Sequence, residues 1–111
     1  MKTYIRSEPP IACNLTAIDV AQRERHRMVV KQLGTVKQET QELSDGYAFR
    51  FAAESSLCLL VAEFITLERL CCPFFTFVLE VEAEGGPLWL RMTGREGVKQ
   101  FIQQMFLTAE Q

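Results

Sequence analysis

The chain has 111 residues, 48% of them hydrophobic, and a formal net charge of -2 from 12 Lys+Arg and 14 Asp+Glu. One domain of that size and apolar content builds a core without staples and leaves no case for general disorder. A slightly acidic balance excludes a dedicated nucleic-acid binder, because the basic run Arg23, Arg25, His26, Arg27 and Lys31 is interrupted by Glu24.

Residues 1–10 read as a flexible leader closed by Pro9 and Pro10, with 11–111 as a single domain. The leader is charged and lacks the apolar stretch of a secretion signal. The strongest apolar run, Leu57 to Ala62, falls far short of the ~20 residues of a membrane span. A cytoplasmic protein is therefore expected, without membrane partners and with its cysteines as thiols rather than disulfides.

In chain order, Ile11 to Leu15 is expected as a short strand. A helix capped by Thr16 or Asp19 follows, with Gly34 as its stop. Its apolar stripe is read as Ile18, Ala21, Met28, Val29 and Leu33. Val36 to Leu43 alternates as an edge strand, and Ser44-Asp45-Gly46 turns it into a second strand, Tyr47 to Phe51. Ser55 or Ser56 opens a largely apolar central helix that ends near Leu70, since Pro73 disfavours helical geometry at Cys72. Phe75 to Glu82 alternates strictly and Gly85-Gly86-Pro87 turns it into Leu88 to Met92. Thr93-x-x-Glu96 reads as the capping box of a last helix. The order β-α-β-β-α-β-β-α predicts an α+β fold with an antiparallel sheet covered by helices on one face. It is ferredoxin-like, with an appended strand and helix.

Chemistry concentrates in Glu68-Arg69-Leu70-Cys71-Cys72-Pro73-Phe74. Residues at i, i+3 and i+4 share a helix face, so Glu68, Cys71 and Cys72 converge if the helix reaches them. Thiolates hold Zn(II), Cu(I) or Hg(II), and a carboxylate adds an oxygen ligand. A third sulfur is needed, and Cys13 is the candidate. Cys58 lies ~21 Å up the same helix and is assigned to packing. A redox pair is disfavoured, because a helix C-terminus raises thiol pKa and a vicinal disulfide closes a strained ring. Adjacent cysteines at a helix exit also occur as plain core residues. Arg25 falls within the expected apolar stripe and needs a partner such as Glu68, an anionic ligand, or an escape of its head to solvent. His26 has no helical ligand partner and is expected as a solvated surface residue.

The segments Ile11-Ala12-Cys13-Asn14-Leu15-Thr16, Asp45 to Phe51 and Glu68 to Phe74 resemble those of a group of small uncharacterised bacterial proteins with the pattern C-[ST]-L … R … E-x-x-C-C-P-F. Asn14 departs from that pattern. The resemblance implies that Cys13, Glu68, Cys71 and Cys72 act as one set, and it carries no activity with it. In residue types alone, two thiols and a carboxylate are also similar to the site of organomercurial lyases.

The leading expectation is a small protein whose partner is a thiophilic metal or metalloid ion, held by Cys13, Cys71 and Cys72. Glu68 then serves as a ligand or as the base that orients them. The alternatives are a structural or interaction module, such as a homodimer, whose cysteines only pack, and an enzyme with a cysteine nucleophile.

Overall fold

A computed structural model describes residues 11–107. After a 3-10 turn, Leu15–Ala17, the elements are α1 (Val20–Val36), β1 (Glu39–Leu43), β2 (Gly46–Phe51), α2 (Ser55–Cys71), β3 (Thr76–Val81), β4 (Leu88–Thr93) and α3 (Val98–Ile102). A π-helical turn, Gln103–Leu107, follows directly on α3. The fold is α+β, with one antiparallel sheet in the order β1-β2-β4-β3.

Strand alternation decides which face meets the helices. Tyr47, Phe49 and Phe51 stand opposite Met92, Leu90 and Leu88, and Phe77 and Leu79 extend the same apolar surface onto β3. Leu60, Val61 and Phe64 of α2, with Val29 and Leu33 of α1, close the core over it. On the other face Arg50 pairs with Glu39 and Arg91 with Glu80, a ladder suited to water. Each fully buried aliphatic or aromatic side chain contributes about 1.5–3 kcal/mol, so this one interface carries most of the fold.

Several boundaries differ from the sequence expectation, each for a local reason. The segment at Ile11 joins no strand among the described residues. Instead the Asn14 N–H donates to the Cys71 carbonyl at 2.7 Å, and the Asn14 side chain caps the 3-10 turn. Gly34 does not stop α1, because the Lys37 N–H still reaches the Leu33 carbonyl and the helix runs to Val36. Asp19 supplies the α1 cap through a reciprocal box with Gln22. Neither Ser55 nor Ser56 caps α2, whose N-cap is Glu54 without a side-chain bond. Thr93 is paired with Gly46 and Thr76 in the sheet, so the expected capping box gives way to the ladder. The last helix starts at Val98 after Gly97, at φ 99°.

Gly46 is fixed by close approach rather than by turn geometry. A Cβ there would lie 2.0 Å from the Met92 carbonyl oxygen, a backbone atom that cannot rotate away. Gly46→Ala is expected to lower the unfolding free energy by about 1–3 kcal/mol, the range for overpacking, measured by urea denaturation. Gly34→Ala, whose Cβ would meet nothing within 4 Å, is the matched control and is expected to leave stability unchanged or raised.

Candidate functional site

The cluster sits where α2 ends. The inward stripe of α2 is Leu57, Leu60, Val61, Phe64, Leu67, Glu68 and Cys71, so Glu68 occupies a position otherwise given to apolar residues and has no exposed surface. Cys72 leaves the helix in a non-helical conformation while its N–H still donates to the Glu68 carbonyl, at 2.7 Å. Glu68, Cys71 and Cys72 are thereby fixed on one buried turn.

Two other segments complete the cluster. The N-terminal segment crosses the end of α2 and brings Cys13 against Cys72, and the two form a disulfide with a Cα–Cα distance of 4.7 Å. This corrects the expectation of thiols throughout: Cys58 and Cys71 are the free cysteines of the described residues. Cys13 is held beside Cys72 by the backbone bond that ties Asn14 to Cys71. The Cys71 and Cys72 sulfurs are 3.9 Å apart, and ligand atoms of Cys13, Cys71 and Cys72 all lie within 4.8 Å of one another.

From α1, His26 contributes Nε2 at 2.5 Å from Glu68 Oε1. Its ring stacks on Phe64, with centroids 6.4 Å apart and planes inclined by 21°. The imidazole is 15% exposed, so His26 is not the solvated surface residue expected from the sequence. Arg25 takes that outward role. It forms a two-point ion pair with Glu63, at 2.6 and 2.7 Å, and stays 46% exposed, so it neither reaches Glu68 nor intrudes on the core. Hydrogen bonding to Glu63 raises the Arg25 pKa and lowers that of Glu63. The stripe that α1 turns inward includes His26, Val29 and Leu33, rotated from the expected one; Ala21 and Met28 face solvent.

Burial, reinforced by the negative charge of Glu68, pushes the Cys71 thiol up from its ordinary 9.0 to about 11. The C-terminal end of α2 adds a field of the same sign. Glu68 itself is half satisfied: Oε1 meets His26, while Oε2 is buried with no hydrogen-bond partner among the described residues. A buried carboxylate oxygen without a partner is costly, and such positions are commonly completed by a proton, water or cation.

The raised thiol has a pH signature. Between its ordinary value and its folded value, the unfolded chain gives up a proton that the folded chain keeps, so the unfolded state gains. Stability is expected to fall as pH rises from about 9 to about 11, and to fall less in Cys71→Ala. Denaturation midpoints across that range check it; parallel profiles for the two proteins would contradict it.

The fold and the cluster define an α+β domain with thiol, disulfide, carboxylate and imidazole groups gathered at the end of its central helix. No family profile, curated protein or solved structure matches the chain. No helix of the described residues is long and apolar enough to cross a membrane.

Proposed function

We propose that the protein binds a thiophilic metal or metalloid ion through Cys13, Cys71 and Cys72 once the Cys13–Cys72 bond is reduced. Glu68, whose carboxylate groups with Cys71 but not with Cys13 and Cys72, serves as the acceptor of the Cys71 proton. The observation that carries this reading is the convergence within 4.8 Å of three sulfurs, two from buried Cys71 and Cys72 and one from half-buried Cys13. Zn–S bonds of about 2.3 Å place neighbouring sulfurs of a tetrahedral site about 3.8 Å apart. The Cys71–Cys72 separation of 3.9 Å already matches that edge.

Reduction consumes one dithiol per disulfide. The reductant delivers two electrons and two protons, leaves as its own disulfide, and frees Cys13 and Cys72 to ligate. A reducing compartment supports this state. Metal binding then displaces thiol protons, so affinity falls as pH falls. The high pKa of Cys71 counts against the cysteine-nucleophile alternative, because only the thiolate attacks. A bound cation reverses that penalty by stabilising the thiolate directly.

Native mass spectrometry of the reduced protein with Zn(II), Cu(I) or Hg(II) tests the reading. One ion per chain is expected, held more weakly in Cys13→Ser and in Cys72→Ser, each of which removes one of the three sulfurs. No retained ion, or retention indifferent to both substitutions, would leave the cysteines as a staple and core packing.

A further inference from the structure

The cluster offers a second ligand set that needs neither sulfur of the disulfide. His26, Glu68 and Cys71 present a nitrogen, an oxygen and a sulfur that all lie within 4.8 Å of one another. We infer that these three form a site for a borderline divalent cation of the Zn(II) type, available while Cys13 and Cys72 remain joined.

Three features support it. First, the donors come from two helices held by packing rather than from a loop. His26 is positioned by Phe64, which is 3% exposed, and Glu68 and Cys71 lie one turn apart on α2. Second, Glu68 Oε2 is buried and unpartnered among the described residues, so the buried carboxylate is under-compensated, and a cation held at that carboxylate offsets the deficit. Third, the donor types suit the ion. Imidazole, carboxylate and thiolate together select a borderline cation over Mg(II) or Ca(II), which prefer all-oxygen shells. Three protein ligands leave a fourth position for water, and the partly exposed His26 is the one ligand of the three with a side chain open to solvent.

The structural adjustment is small. His26 Nε2 and Glu68 Oε1 are 2.5 Å apart and share a hydrogen bond. Ligation at about 2.0–2.1 Å in a tetrahedron separates such atoms by about 3.3 Å, so binding removes the shared proton and opens the pair by less than an ångström. The Cys71 proton leaves as well. The site shares Cys71 with the proposed three-sulfur site but stands independently of it, because it requires no reduction.

Cobalt(II) is the probe, since thiolate ligation gives it a sulfur-to-metal charge-transfer band and tetrahedral geometry gives it strong visible absorption. The protein is kept oxidised, with Cys58→Ser as background so that Cys71 is the one thiol among the described residues. One equivalent of cobalt is expected to bind with both signatures and to be displaced by Zn(II). His26→Gln keeps a hydrogen-bond partner for Glu68 but cannot ligate in the same way. It and Cys71→Ser are each expected to weaken cobalt binding by more than the roughly 10–100-fold that loss of an outer-shell partner costs. Circular dichroism of each variant confirms that it is folded. The Cys13→Ser/Cys72→Ser double variant is expected to keep the site. Absence of the sulfur band in the oxidised protein, its survival in folded His26→Gln, or its loss in the double variant would each overturn the inference. The three-sulfur reading fails on a different result, the indifference of reduced protein to Cys13→Ser.

Discussion

Reducing the Cys13–Cys72 bond is expected to lower the unfolding free energy by about 4 kcal/mol. The two residues are 59 apart in sequence, and the chain-entropy estimate for a loop of that length gives this value. For a domain of this size it corresponds to a fall in melting temperature of about 15 °C. Cys13→Ala should reproduce the fall in the absence of reductant, and reductant should then have no further effect. Part of the loss is recoverable: an ion present at 100 times its dissociation constant returns about 2.7 kcal/mol. A thermal melt of oxidised, reduced and reduced-plus-Hg(II) protein reads all three states. A melting temperature indifferent to reductant would show that the backbone bond from Asn14 to Cys71 holds the N-terminal segment without the disulfide.

The second large effect belongs to His26. In His26→Leu, Glu68 is left in a fully buried position without the imidazole that meets its Oε1. Removing one partner of a buried pair costs about 3–5 kcal/mol, and the partial exposure of His26 places this case at the low end, about 3 kcal/mol. Replacing both partners, in His26→Leu/Glu68→Met, should recover most of that loss, because an apolar pair suits the surroundings formed by Phe64 and Leu67. Chemical denaturation of the wild type, the two single variants and the double variant closes the cycle. Additive losses would mean that the two side chains stabilise the fold independently.

Much of the fold was legible because periodicity and packing agree. The alternation in β3 and the aromatic face of β2 gave the sheet its inner surface, and the nearly continuous apolar stripe of α2 marked it as central. Where the sequence misled, a local signal lost to a tertiary one. Gly34 and the Thr93 box are ordinary punctuation overridden by a continuing helix and by strand pairing.

The candidate site was half legible. The spacing of Glu68, Cys71 and Cys72 put those three on one helical turn and Cys13 joined the two cysteines as the needed third sulfur, but the Glu68 carboxylate groups with Cys71 and His26 rather than with Cys13 and Cys72. Its bond to Cys72 was not readable, because the crossing of the N-terminal segment over α2 is a tertiary event. His26 was missed because the α1 wheel was centred on Arg25. A signal existed: His26, Val29 and Leu33 follow i, i+3, i+7, the spacing of one helix face. Arg25 lies one position off that face and reaches Glu63. A second signal was Glu68 itself, four residues after Phe64 and three before Cys71 within an apolar stripe. A carboxylate in that position requires a partner, and His26 is the group that meets it.

If three sulfurs take one ion, X-ray absorption at the zinc edge of reduced protein loaded with one equivalent of Zn(II) counts them directly. Three sulfur scatterers at about 2.3 Å with one nitrogen or oxygen are expected, falling to two sulfurs in Cys13→Ser. A shell of nitrogen and oxygen with a single sulfur, unchanged by Cys13→Ser, would contradict the three-sulfur site.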